Sequence, residues 1–111
     1  MAKMYVVERK EHGVVVTVEP DEGPSYLLPH LVKHSPTGLE YGYGGSGPGD
    51  LARSIVGDVL GTDEPDEHLY MAFKWAWVSS RDQKALYHEI TEHDVKTILD
   101  RAENLHGGLH G

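Results

Sequence analysis

Two apolar blocks open the chain. Tyr5, Val6 and Val7 sit together, and Val14, Val15, Val16, Thr17 and Val18 follow. These are β-forming side chains, and they predict strands over Met4–Glu8 and Val14–Glu19. Between them Arg9–Gly13 is polar and ends in glycine, which suits an antiparallel hairpin. Pro20–Pro24 breaks the pattern. Tyr26, Leu27 and Leu28 read as a short edge strand before Pro29. His30–Gly38 has no periodicity and reads as irregular chain. Leu39–Tyr43 alternates large side chains with smaller or polar ones, which predicts one more short strand.

From residue 51 the period becomes helical. Leu51, Ile55 and Val59 form one stripe with Ala52, Val56 and Leu60. Pro48 fits the first turn of that helix, Asp50 complements the positive end of its dipole, and Gly61 ends it. A second helix starts near Asp63–Asp66, with Leu69, Phe73, Ala76 and Trp77 on one face and an exit at Ser79–Asp82. Ala85–Ile90 reads as a strand. Thr91–Asp94 resembles a capping box with Asp in place of Glu. A third helix follows, with Val95, Ile98, Leu99, Ala102 and Leu105 facing the core. Leu51, Ile55, Val59, Phe73, Val95, Ile98 and Leu99 are expected to be buried together. With no repeat and no long linker, residues 1–111 read as one domain whose tail frays from about residue 106. The fold class is α+β: a small antiparallel sheet with two or three packed helices.

Composition narrows the function classes. The 111 residues are 39% hydrophobic and carry a formal net charge of −8. That sign disfavours direct nucleic-acid binding, which needs clustered Lys and Arg. An acidic face that meets a basic protein partner, or that mimics phosphate, fits better. There is no cysteine, so neither a disulfide framework nor Cys-ligated zinc is expected. No apolar run approaches the roughly 20 residues of a membrane span, and Met1–Tyr5 lacks the apolar stretch of a signal peptide. A cytoplasmic protein is the expectation, in the host cytoplasm if it is phage-encoded. Oligomeric state is left open.

The most unusual stretch is Ser35–Asp50, with six glycines and two prolines in sixteen positions. So much glycine is costly in backbone entropy, so the segment specifies a loop of defined geometry. It runs straight into a helix start, where free N–H groups can receive an anion. The P-loop pattern is not met, because Gly47-Pro48-Gly49 supplies no lysine, and the dinucleotide fingerprint lacks its preceding parallel strand. The alternative is structural: Gly42, Gly44, Gly45 and Gly47 permit positive φ and close helix–strand packing.

Other constellations are weaker. Trp75 and Trp77 cannot share a helix face, so Trp75 either stands exposed beside Lys74 as a hot spot or packs over the loop glycines. Gly44-Gly45-Ser46-Gly47-Pro48 has proline where a hydrolase elbow needs glycine. His34 and Ser35 are read as ordering the loop by hydrogen bonds to backbone. His30 with His34, His106 with His110, and the His88–His93 cluster lack the ligand number and spacing of a zinc site, so neither metal nor cofactor is expected. Asp58–Glu67, with Glu19, Asp21 and Glu22, can make a negative surface.

The hairpin, His34-Ser35-Pro36-Thr37-Gly38, the aromatic Tyr41, Gly42-Tyr43-Gly44-Gly45-Ser46-Gly47-Pro48, Leu51-Ala52, and Tyr70 with Phe73-Lys74-Trp75 together resemble a small family catalogued as a domain of unknown function. The family occurs in bacteria, their phages and mobile elements. The likeness covers essentially the whole chain. Tyr41 stands where tryptophan is expected, and Gly49 where alanine is more typical. The resemblance implies a fold unit and a phage or prokaryotic source. It brings no activity, cofactor or catalytic residue. The expected function is therefore a non-enzymatic binding module of phage or mobile-element type. Tyr41, Tyr43, Gly44, Gly45, Ser46, Gly47, Lys74 and Trp75 are its candidate binding residues. The alternative is a small-ligand protein or minor enzyme that holds a phosphate-bearing molecule at the same loop.

Overall fold

A computed structural model describes residues 2–108, with side chains through residue 104. Four strands form an antiparallel sheet in the order β3-β2-β1-β4: β1 (Lys3–Lys10), β2 (Gly13–Pro20), β3 (Tyr26–Leu27) and β4 (Tyr87–Thr91). The helices are α1 (Ser46–Leu60), α2 (Glu67–Phe73) and α3 (Glu92–Gly108). This is the α+β architecture the sequence predicts.

Side chains alternate across each strand. On β1 and β2, Tyr5, Val7, Val14, Val16 and Val18 point to one face and are buried. Register places Ile90 of β4 beside Tyr5. The helices bring Leu51, Ala52, Ile55, Val56, Tyr70, Phe73, Val95 and Leu99 to the same core. Val59 and Ile98 pack against it only partly buried, and Leu60 is exposed. Leu105 lies outside the residues whose side chains are described.

Local signals fix several boundaries. Gly61 closes α1 at φ 70°, and Thr62 N–H reaches Gly57 O at 2.9 Å. The Asp66 carboxylate caps α2 through Leu69 N–H at 3.1 Å. Thr91 Oγ1 accepts from Asp94 N–H at 3.0 Å, the forward half of the expected box. The backbone of α3 stays helical to Gly108, and residues 109–111, with the His106–His110 pair they complete, lie outside the described set.

Three expectations are corrected. Leu39–Tyr43 forms no strand. Its backbone turns at Gly38 (φ 137°) and Gly42 (φ 87°), and Gly42 N–H bonds Val78 O at 3.0 Å instead of a sheet neighbour. The second helix is not continuous: after Phe73 it widens into a π turn over Lys74–Val78, closed by Ser79 N–H to Lys74 O at 2.8 Å. Within it Phe73 and Trp77 stack, with centroids 5.8 Å apart and planes 9° apart. The last strand begins at Tyr87 rather than Ala85, because Ala85 belongs to a turn whose N–H bonds Asp82 O.

Candidate functional site

The glycine segment is held at both ends. Gly42 anchors its entry: a Cβ there would fall 2.6–2.8 Å from Gln83, and its φ excludes most L side chains. Asp50 anchors its exit. The sequence places this carboxylate at the helix dipole, but it is fully buried and turned toward the preceding loop. It accepts from the N–H groups of His34 (2.8 Å), Ser35 (2.9 Å) and Lys33 (3.2 Å), and sits 2.8 Å from His30 Nε2. Burial pushes its pKa up, but His30 and the three backbone donors together hold it below the usual carboxylate range. The loop around His34 and Ser35 is thus ordered by Asp50, rather than by their own side chains reaching backbone. His34 Nε2 pairs with Tyr70 Oη at 2.9 Å, and Ser35 Oγ lies 3.3 Å from Thr37 Oγ1.

Between these anchors the glycines make room for rings. None of Gly44, Gly45 or Gly47 has positive φ. A Cβ on Gly44 would lie 2.7 Å from Trp75 Cη2, and one on Gly45 would enter the Tyr43 ring. One on Gly47 would meet Glu40 Cβ at 2.7 Å and Tyr43 Oη at 3.3 Å. The expected positive φ therefore belongs to Gly42 alone among these residues, while close packing holds for the rest. Gly45 caps α1 with no side-chain bond to the helix start, and Pro48 contributes no donor.

Lys74 and Trp75 complete the site from the π turn. Lys74 is 6% exposed. Its ammonium lies 3.3 Å from Gly44 O and 4.7 Å from the Trp75 ring centroid. Trp75 rests on Gly44 yet remains 59% exposed, and Tyr43 is 41% exposed. Trp75 thus packs on the turn and also faces solvent. A hollow of about 200 Å³ opens alongside, lined by His34, Gly44, Gly45, Ser46, Gly49, Met71 and Lys74.

The fold gathers Tyr43, Gly44, Gly45, Ser46, Gly47, Lys74 and Trp75, but sets Tyr41 apart. Tyr41 is fully buried, and its hydroxyl donates to Ala85 O. The Arg9 guanidinium lies 4.6 Å over its ring and grips Glu40 with two bonds of 2.8 and 2.9 Å. That grip, more than the opposing effect of burial, lowers the Glu40 pKa.

Of the expected acidic surface, Glu19, Asp21, Glu22, Asp63, Glu64, Asp66 and Glu67 are exposed, whereas Asp58 is engaged. Asp58 accepts from Tyr5 Oη and Tyr26 Oη, each at 2.6 Å, and from Lys3 Nζ at 3.0 Å. It borders a shallow hollow of about 670 Å³ at the other end of α1. Neither the Asp50 nor the Asp58 cluster shows in the sequence, because their partners lie 15–55 residues away. Among the described residues, no group of three His, Asp or Glu side chains is placed to hold a metal ion. No helix of the described residues is long and apolar enough to cross a membrane.

The profile of a family of unknown function, DUF6166, matches residues 5–101, and the chain belongs to that family. No curated protein and no solved structure matches it.

Proposed function

We propose that this member of the DUF6166 family is a non-enzymatic binding module that docks a protein partner through Trp75, Tyr43, Gly44 and Ser46, with Lys74 beneath. One observation carries the reading: a tryptophan 59% exposed rests against a glycine turn and against a buried ammonium that is itself bonded to that turn. A large, pre-ordered aromatic loses little conformational entropy on binding, which is what a hot spot needs. Gly45 and Gly47 support the surface from behind. Tyr41 serves as an internal anchor and leaves the recognition surface. The net charge of −8 favours a basic partner and argues against direct nucleic-acid contact. A phage or mobile-element origin, implied by the sequence resemblance, fits a module that acts in host cytoplasm.

The test is affinity capture from host cells with the wild-type chain, Trp75→Ala and Tyr43→Ala. A partner held by the wild type and lost by Trp75→Ala supports the reading. Equal capture by all three chains overturns it.

A second reading is favoured by Lys74. Its charge is buried beside an uncapped helix start, and Asp50, which would repel an anion there, is occupied by His30 and three N–H groups. A phosphate-bearing small molecule suits that hollow. Titration with inorganic phosphate and nucleotides, read by amide shifts at Gly45–Leu51, separates the two. Saturable shifts that vanish in Lys74→Met select the ligand reading.

A further inference from the structure

The sheet carries a second surface, remote from the glycine turn in sequence and built on β4. Strand β4 pairs with β1 on one side only, and it ends the sheet. Arg9 N–H bonds Leu86 O, so the pairs Arg9–Leu86, Val7–His88 and Tyr5–Ile90 are the hydrogen-bonded ones. In an antiparallel ladder the alternate residues turn their main-chain groups the other way. Tyr87 and Glu89 therefore present both N–H and C=O to the open edge.

The two faces flanking that edge differ in chemistry. Toward the helices, a groove of about 350 Å³ runs between β4 and α3. Trp77, Ile90 and Ile98 give it apolar walls, and Asp94 and Arg101 lie on its α3 side. Toward solvent, the outward face of the sheet carries Glu8 and Glu89 beside Tyr87, which is 51% exposed, and Glu19 further along, opposite Met4. Glu89 accepts from Tyr87 Oη at 2.6 Å, and Lys10 offsets Glu8 at 3.2 Å. The Tyr87 hydroxyl pKa is raised, first by its bond to Glu89 and also by the charges of Glu19 and Glu8.

We propose that the β4 edge binds an extended segment of a partner protein as a fifth strand, with apolar residues alternating with Lys or Arg. Side chains opposite His88 and Ile90 enter the groove and meet Trp77, Ile90 and Ile98. Side chains opposite Tyr87 and Glu89 point outward into the field of Glu8, Glu19 and Glu89. Main-chain bonds supply affinity, and the alternation supplies selectivity. A second copy is the poorer occupant. Pairing two β4 edges brings Glu89 against the acids of the copy, and each chain carries −8. This site stands independently of the Trp75 surface, and its test reads different amides.

The probe is a blocked hexapeptide, Val-Lys-Val-Arg-Val-Lys, added to the full chain. Controls are its Glu/Asp counterpart and a version N-methylated at alternate residues. Hydrogen exchange of the Tyr87 and Glu89 amides is followed by NMR. The basic peptide at saturation is expected to slow both amides at least tenfold, while the two controls leave them unchanged. Glu89→Lys, an exposed change that leaves the core intact, is expected to abolish protection by the basic peptide. Protection by the acidic peptide to the same degree, or no protection by millimolar basic peptide, overturns the proposal. Protection that grows with protein concentration and no peptide assigns the edge to self-association and overturns it equally.

Discussion

At the C-terminal end of α1, Gly61 stands at φ 70° with nothing within 4 Å of where a Cβ would point. At the N-terminal end, Gly44, Gly45 and Gly47 hold φ values open to any residue, yet a Cβ on each would strike a side chain. The first glycine answers to its own backbone. The other three answer to Trp75, Tyr43 and Glu40, which arrive from outside the helix. A helix end set by local geometry only has to stop the helix. An end shaped by side chains from outside the helix holds an arrangement of groups, and the proposed recognition surface lies there.

The same asymmetry holds for the two carboxylates of α1, and it sets the largest expected effect. Asp50, near the start, is fully buried with four donors; Asp58, near the end, is half-buried with three. Asp50→Ala strands the N–H groups of Lys33, His34 and Ser35 together with His30, and is expected to cost about 3–5 kcal/mol. Asp58→Asn keeps one oxygen that accepts from Tyr5 and Lys3, loses the acceptor for Tyr26, and is expected to cost about 1–2 kcal/mol. Urea unfolding measures both. Equal losses would erase the contrast between the two ends.

Acid sharpens it. Burial raises the pKa of Asp50 and of Asp58, but their donors outweigh it, so both carboxyls titrate below their unfolded values. A depressed folded-state pKa adds stability that is fully present above the unfolded value, about 4, and that is lost as pH falls through the folded one. The urea midpoint is therefore expected to hold from pH 7 to about 5 and then to drop below about 4. Asp50→Asn should flatten that drop. A midpoint that rises on acidification would contradict the assigned direction.

Glycine substitutions give the next contrast. Gly42→Ala meets both penalties, a positive φ and the backbone of Gln83, and is expected to cost about 2–4 kcal/mol. Gly61→Ala meets only the first and is expected to cost about 1–2 kcal/mol. Thermal unfolding ranks the pair, and the reverse order would mean that Gln83 yields freely.

What the sequence showed of this molecule follows the range of the interactions involved. The hairpin, α1, Gly61 as its stop and the Thr91 cap rest on neighbours a few residues away, and all were legible. The π turn was not, because period counting assumes a constant helix and Lys74–Val78 changes it. Leu39–Tyr43 imitated a strand because Leu39 and Tyr41 are buried, but burial there comes from packing into the core, with Arg9 over the Tyr41 ring, rather than from a ladder. The glycine turn announced itself by composition. Its packing did not, since the Gly44–Trp75 contact joins residues about thirty positions apart. The β3 edge was legible from its shortness and from Pro29, but the β4 edge left no trace, because nothing in its own residues says that no strand follows it in the sheet.

The smallest effect on stability falls on the residue with the largest proposed role. Trp75 is 59% exposed, and its buried part lies on Gly44 and over Lys74. Trp75→Ala forfeits that limited contact and is expected to change stability by no more than about 1 kcal/mol. Gly44→Ala leaves the tryptophan in the chain but pushes its ring off the turn, since the new Cβ would lie 2.7 Å from Cη2. If the surface works through a fixed ring, both variants lose partner capture while their unfolding midpoints stay close to wild type. If the ring serves only to cover the turn, Gly44→Ala should destabilise the chain and leave any captured partner bound. Measuring capture and unfolding on the same two variants thus separates a recognition role from a packing role at the start of α1.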